Sequence, residues 1–109
     1  MRIYRGQRCG HAAIVTIDGR PLDPRLDLWN HSPTGFEWGY AGSGPAQLAL
    51  ALLADYFGDD DRALATYHDF KFAVVATLNH ASWELTGAEI EELLRKMSER
   101  QGEPGGIPC

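Results

Sequence analysis

Two cysteines in 109 residues are too few for a disulfide framework, and Cys9 and Cys109 stand at opposite ends of the chain. Free thiols are expected. No apolar run approaches the roughly 20 residues that a membrane-spanning helix requires, and the start Met1-Arg2-Ile3-Tyr4 lacks the apolar core of a signal peptide. Both absences point to a cytoplasmic protein. Internal repeats at solenoid periods are also missing, which favours one compact domain over an array.

Complete catalytic and metal signatures are lacking as well. Gly39, Gly42 and Gly44 come without the lysine of a phosphate loop and without dinucleotide-binding spacing. Ser43 lies in Gly42-Ser43-Gly44, short of a full nucleophile elbow, and no pattern supplies the base and oxyanion site a nucleophile needs. His11, His31, His68 and His80 show no metal-ligand spacing, and Cys9-x-His11 is too short for a zinc site. The expectation is a protein without catalysis, cofactor or metal.

Basic charge is scarce except near the start. Residues 1–25 hold five arginines against two aspartates, the remainder five basic against thirteen acidic residues, for a net charge of −5. An acidic majority argues against a direct grip on nucleic acid, which needs clustered Lys and Arg. It suits a surface for a basic partner.

What is present is ordinary for a globular domain: 44% hydrophobic and 23% charged residues. The richest stretch runs from Ser32 to Leu53. Phe36, Trp38 and Tyr40 alternate with Glu37 and Gly39, the period of a strand with three aromatics on one buried face. Gly39, Gly42 and Gly44 then form a turn, Pro45 fits a first helical position, and Ala and Leu carry a helix to Phe57, ended by Gly58. Only Gln47 and Asp55 are polar in that helix, so it should be wrapped on nearly all sides.

Before this stretch, Arg2–Arg5 and Ala12–Ile17 read as strands joined through Cys9-Gly10-His11, and Asp18-Gly19 is a common turn pair. Pro21 and Pro24 restrict residues 20–25 to an edge or a loop, and Leu26–Trp29 reads as extended. After it, Asp59, Asp60 and Asp61 open a second helix, with an aspartate as N-cap. Ala63, Tyr67, Phe70, Val74 and Leu78 share one face of that helix, which pairs with the first as a hairpin. A short apolar step at Trp83 and Leu85 leads to a capping box, Thr86-Gly87-Ala88-Glu89, stapled by Leu85 and Ile90. Ile90, Leu93, Leu94 and Met97 line one side of the final helix. The fold expected is α+β: a small, mainly antiparallel sheet of three to five strands, packed with a helical hairpin and a short C-terminal helix. Residues 1–100 form the domain, and residues 101–109 a mobile Gly/Pro-rich tail.

The block Ser32-Pro-x-Gly-Phe-x-Trp-Gly-Tyr-x-Gly-Ser-Gly-Pro-Ala-Gln-Leu-Ala49, preceded by a hairpin with Asp18-Gly19, resembles the signature of a family of small bacterial proteins. That family is known only as a domain of unknown function. The resemblance spans roughly Tyr4 to Leu94 and implies no established activity. Occurrence of such proteins in plasmid and phage-related sequence implies an accessory role, such as inhibition of a host defence component.

Two sites compete for a functional role. Asp59, Asp60 and Asp61 on the second helix, with Glu91 and Glu92 on the last, form either solvated acidic surface or a patch for a basic, nucleic-acid-binding protein. Gly42, Ser43 and Gly44 at a helix N-terminus, with Trp38 and Tyr40 beside them, form either a tight turn over core aromatics or a site for a small anion such as a nucleotide. Ser43 is read as a helix cap. Arg2, Arg5 and Arg8 are read as one exposed strand face.

Overall fold

The computed structural model of the chain describes residues 2–101. Strands β1 (Ile3–Cys9) and β2 (Ala12–Ile17) form a hairpin around Gly10, and β3 (Arg20–Pro21) follows the turn at Asp18 and Gly19. Both turn residues adopt positive φ, 51° and 83°, as a tight two-residue hairpin turn demands. Helix α1 (Ser43–Phe57) and helix α2 (Asp60–Ala73) come next, then one 3₁₀ turn (Val75–Thr77), strand β4 (Ser82–Thr86) and helix α3 (Gly87–Gln101). The sheet is antiparallel throughout, with order β3-β2-β1-β4.

The expected α+β architecture is therefore present, with four strands, a contacting α1–α2 pair and a C-terminal helix. Pro21 sits on the edge strand, where a missing N–H breaks no ladder. The expected tail beyond Gln101, with Cys109, lies outside the described residues. Cys9 is a free, exposed thiol.

One face of the sheet is dry and the other wet. Tyr4, Val15, Ile17, Trp83 and Leu85 are buried on the inner face, whereas Arg5, Gln7, Ile14 and Glu84 point outwards. Gly6 is required on the inner face: a Cβ there would lie 2.2 Å from the Trp83 indole nitrogen that crosses over it. Helix α1 fills the centre, with every residue from Gly44 to Ala54 buried. Gly58 ends it in the left-handed conformation, φ 64°. Asp59 caps α2 by accepting the Arg62 N–H, and Thr86 and Glu89 exchange the two hydrogen bonds of a capping box at α3.

Several local expectations are corrected. Residues 36–40 form no strand, because Gly39 turns at φ 87° and donates its N–H to Val75 O, outside any ladder. Phe36 and Trp38 are buried as expected, but past Gly39 the side chain of Tyr40 emerges half exposed. Leu26–Leu28 is a turn instead of extended chain, closed by Leu28 N–H on Arg25 O. Pro45 is the third helical residue, not the first, and Gly42 stands at the N-cap in place of Ser43, with no side-chain cap bond. Val74 is the C-cap of α2, which ends at Ala73, and Leu78 falls beyond it. Finally, a spacing of three puts Arg5 and Arg8 on opposite sheet faces: Arg5 pairs with Glu84 outside, while Arg8 packs over Trp38.

Candidate functional site

Gln47 is the buried polar residue of α1, and its amide is fully engaged by main chain. Oε1 accepts the His31 N–H at 2.7 Å and the Ser32 N–H at 3.1 Å, while Nε2 donates to Pro24 O at 2.6 Å and Trp29 O at 3.0 Å. A segment without regular structure is thereby fixed to the rigid core helix. Arg25 fixes it a second time, donating to both oxygens of Asp27 and to Asp60 Oδ2 on α2.

The segment so held displays an aromatic surface. Trp29 stacks on His31 with ring centroids 5.6 Å apart and an interplanar angle of 21°. His31 Nε2 lies 2.7 Å from the Tyr67 hydroxyl, and the rings continue along α2 through His68 to Phe72. Lys71 Nζ stands 4.2 Å over the Phe72 ring. Trp29 and Phe72 are 58% and 52% exposed, far from the behaviour of core aromatics.

Electrostatics keep the centre of this surface uncharged at neutral pH. Burial, then the charges of Lys71 and His68, hold the His31 imidazole below its ordinary value, and burial pushes the Tyr67 phenol up. The His31–Tyr67 bond therefore joins two neutral groups. What the arrangement offers is a rigid set of ring faces with polar edges, suited to recognition.

The residues singled out by sequence lie elsewhere. Trp38 is fully buried: its indole N–H donates to His80 O at 3.0 Å, Trp83 meets it edge-on, and the Arg8 guanidinium covers it. A Cβ on Gly42 would lie 2.8 Å from the Tyr40 ring, and one on Gly44 would lie 2.6 Å from Glu37 Cβ. Those glycines let Tyr40 and Glu37 close against the turn. The Glu37 carboxylate is held by Arg8 at 2.8 Å. Ser43 lies in the first turn of α1.

The acidic residues are partly spent inside the molecule. Asp59 caps α2, Asp60 holds Arg25, Glu91 accepts from the Tyr56 hydroxyl, and Glu92 pairs with Arg95. Asp61 is exposed in the first turn of α2. Glu91 and Glu92 belong to α3 and Asp59–Asp61 to the α2 N-terminus, so two helix starts carry the acidity.

From sequence, Trp29 reads as extended chain and His31 as part of the turn at residues 30–33, without metal-ligand spacing. One signal was available: Phe72 falls off the Ala63, Tyr67, Phe70 face of α2 and therefore had to be exposed. The stacking of Trp29 on His31 had no such signal, because it depends on how Gln47 folds the preceding segment.

By fold and site, this is a small α+β domain whose core helix pins an exposed aromatic–histidine surface. The chain belongs to the family of unknown function DUF6166, whose model matches residues 4–96. No curated protein and no solved structure matches it. No helix among the described residues is long and apolar enough to cross a membrane, and no group of three or more potential metal ligands occurs among them.

Proposed function

We propose that the chain is a non-enzymatic protein-binding module that engages its partner through the surface from Trp29 to Phe72. The carrying observation is the exposure of these two large rings on a support held rigid by Gln47 and Arg25. Aromatic side chains dominate protein interfaces because they bury much area at little cost in rotamer freedom. Asp27 and Asp61, exposed near the Arg25–Asp60 link, add negative charge at one end and suit a basic partner. We set this use in the bacterial cytoplasm, as an accessory inhibitor of a host defence component. The motif's resemblance to plasmid and phage proteins and the net charge of −5 support that setting.

The test is site-specific photo-crosslinking in a bacterial host, with the reactive group at position 72 and, as control, at position 14 on the open sheet face. A discrete adduct from position 72 that disappears with Trp29→Ala supports the reading. Equal adducts from both positions, or persistence after Trp29→Ala, would overturn it.

A further inference from the structure

On the far side of the Arg25 link, between the β3 edge and the C-terminal half of α1, the molecule contains a cavity of about 480 Å³. Its floor is apolar, made by Ile17, Leu22, Ala51 and Ala54, all buried. Its rim carries both signs of charge, Arg20 and Arg25 with Asp23 and Asp55. A volume in the range of small-molecule sites, an apolar base and a few polar groups around it are the general features of a ligand pocket.

The rim charges are not equivalent. Arg25 is spent on Asp27 and Asp60, and its backbone is held at φ 53°, a left-handed conformation that non-glycine residues seldom adopt. The Asp23 carboxylate fixes it there by accepting the Arg25 N–H at 2.8 Å. Backbone strain of this kind persists where surrounding contacts over-determine it, and such places cluster at binding sites. The Arg20 side chain, in contrast, makes no hydrogen bond or ion pair with any described residue and is exposed at the cavity mouth, while its backbone pairs with Ile17 in the sheet. Asp55 is oriented through one oxygen only: Oδ2 accepts the Tyr4 hydroxyl at 2.6 Å and stands 3.7 Å from Arg2 Nε. Burial and the neighbouring carboxylate push the Tyr4 phenol well above its ordinary range, so it stays a donor and Oδ1 of Asp55 is left to accept from elsewhere.

An unspent cation, a carboxylate with a spare oxygen and an apolar floor between them match a molecule that is itself charged at both signs. We propose that this cavity binds a small zwitterion with an apolar body, of the class of aliphatic α-amino acids. The ligand carboxylate meets Arg20, the ammonium meets Asp55, and the side chain lies on Ile17, Leu22 and Ala54. A simple anion is repelled by Asp23 and Asp55, and a simple cation by Arg20, so neither satisfies the whole rim. Arg25 borders the cavity and also anchors the aromatic segment, but neither Arg20 nor Asp55, which are assigned to the ligand, belongs to that surface, so the two readings are tested separately.

The experiment is a titration of the full chain with L-leucine, followed by amide NMR shifts of Leu22, Ala54 and Gly58. Parallel arms use 4-methylpentanoate, which lacks the ammonium, 3-methylbutylamine, which lacks the carboxylate, and glycine, which lacks the apolar body. Saturable shifts with leucine are expected, with each other arm about tenfold or more weaker. Arg20→Gln, which removes no internal contact, should lower leucine affinity to that of the amine while leaving the rest of the spectrum in place. Asp55→Asn, which keeps an acceptor for Tyr4, should lower it to that of the acid. Absence of saturable shifts up to the solubility of leucine, unchanged affinity in Arg20→Gln, or equal binding of a singly charged arm overturns the proposal.

Discussion

The Gln47 side-chain oxygen holds the His31 backbone N–H at 2.7 Å, joining the N-terminal half of the core helix to the exposed aromatic surface. Residues sixteen apart in sequence are thereby made one rigid unit. Because Gln47 is fully buried, nothing else near it can take over its four bonds without movement of the segment.

Gln47→Leu, which keeps the volume and removes the amide, should destabilise the protein by about 3 kcal/mol, since several backbone groups lose their partners together. Trp29 should become more mobile in the same variant. Urea unfolding gives the first quantity, and the fluorescence anisotropy of Trp29, with Trp38 and Trp83 as fixed background, gives the second.

Leu52 is fully buried in α1, whereas the Asp60 side chain is about half exposed and holds only Arg25. Leu52→Asp should leave no folded protein, and even Leu52→Ala should cost about 2–5 kcal/mol. Asp60→Ser should stay folded, with a loss of about 1 kcal/mol or less, as is usual for an exposed ion pair. Equilibrium urea curves for the three variants separate these outcomes.

Gly6→Ala should destabilise by about 1–3 kcal/mol through overpacking, because the new methyl meets the Trp83 ring and that ring is itself wedged against Trp38. Gly10→Ala meets no atom within 4 Å and suffers only from its φ of 64°. The thermal midpoint of Gly6→Ala should therefore fall further than that of Gly10→Ala, with a change in near-ultraviolet circular dichroism confined to the former.

His31 makes stability depend on pH. Its imidazole is held below the ordinary value of 6.5 by burial and by Lys71 and His68, while Tyr67 faces it as a neutral partner. Between the lowered folded value and 6.5 the unfolded chain binds the proton and the folded chain does not. The contribution is thus complete above 6.5 and is lost as the pH falls through that window. Asp27 and Glu92, lowered by Arg25 and Arg95, act in the same direction but only in the more acid carboxylate range. Urea midpoints compared between about pH 7.5 and pH 5.5 should fall less in His31→Gln than in the unaltered protein.

Much of the fold was written in local pattern. The Thr86–Glu89 capping box, the Asp59 cap, the Gly58 stop and the Asp18-Gly19 turn each rest on a few adjacent residues, and each stands where its chemistry requires. The alternation of Phe36 and Trp38 also predicted their burial. It misled on secondary structure, because alternation reports which side is dry and not whether a neighbouring strand exists to pair with. In this chain the backbone beside Trp38 is taken up by Arg8 and by Val75 instead. The aromatic surface was hidden for a related reason: the position of Trp29 is set by a glutamine in another element, and such long-range bonds leave no mark on local spacing.

The pairing of β1 with β4 carries a consequence for how the protein is made. Tyr4 lies opposite Leu85 and Gly6 opposite Trp83, so β1, an inner strand of the sheet, has one neighbour from its own hairpin and another from far down the chain. At roughly 5–20 residues per second, synthesis of the hairpin and of β4 is separated by several seconds, and a lone hairpin is only marginally stable in water. A chain made only as far as residue 81 lacks both the partner of the β1 edge and the indole that covers Gly6. Closure of the sheet on that side waits on five residues, Ser82–Thr86.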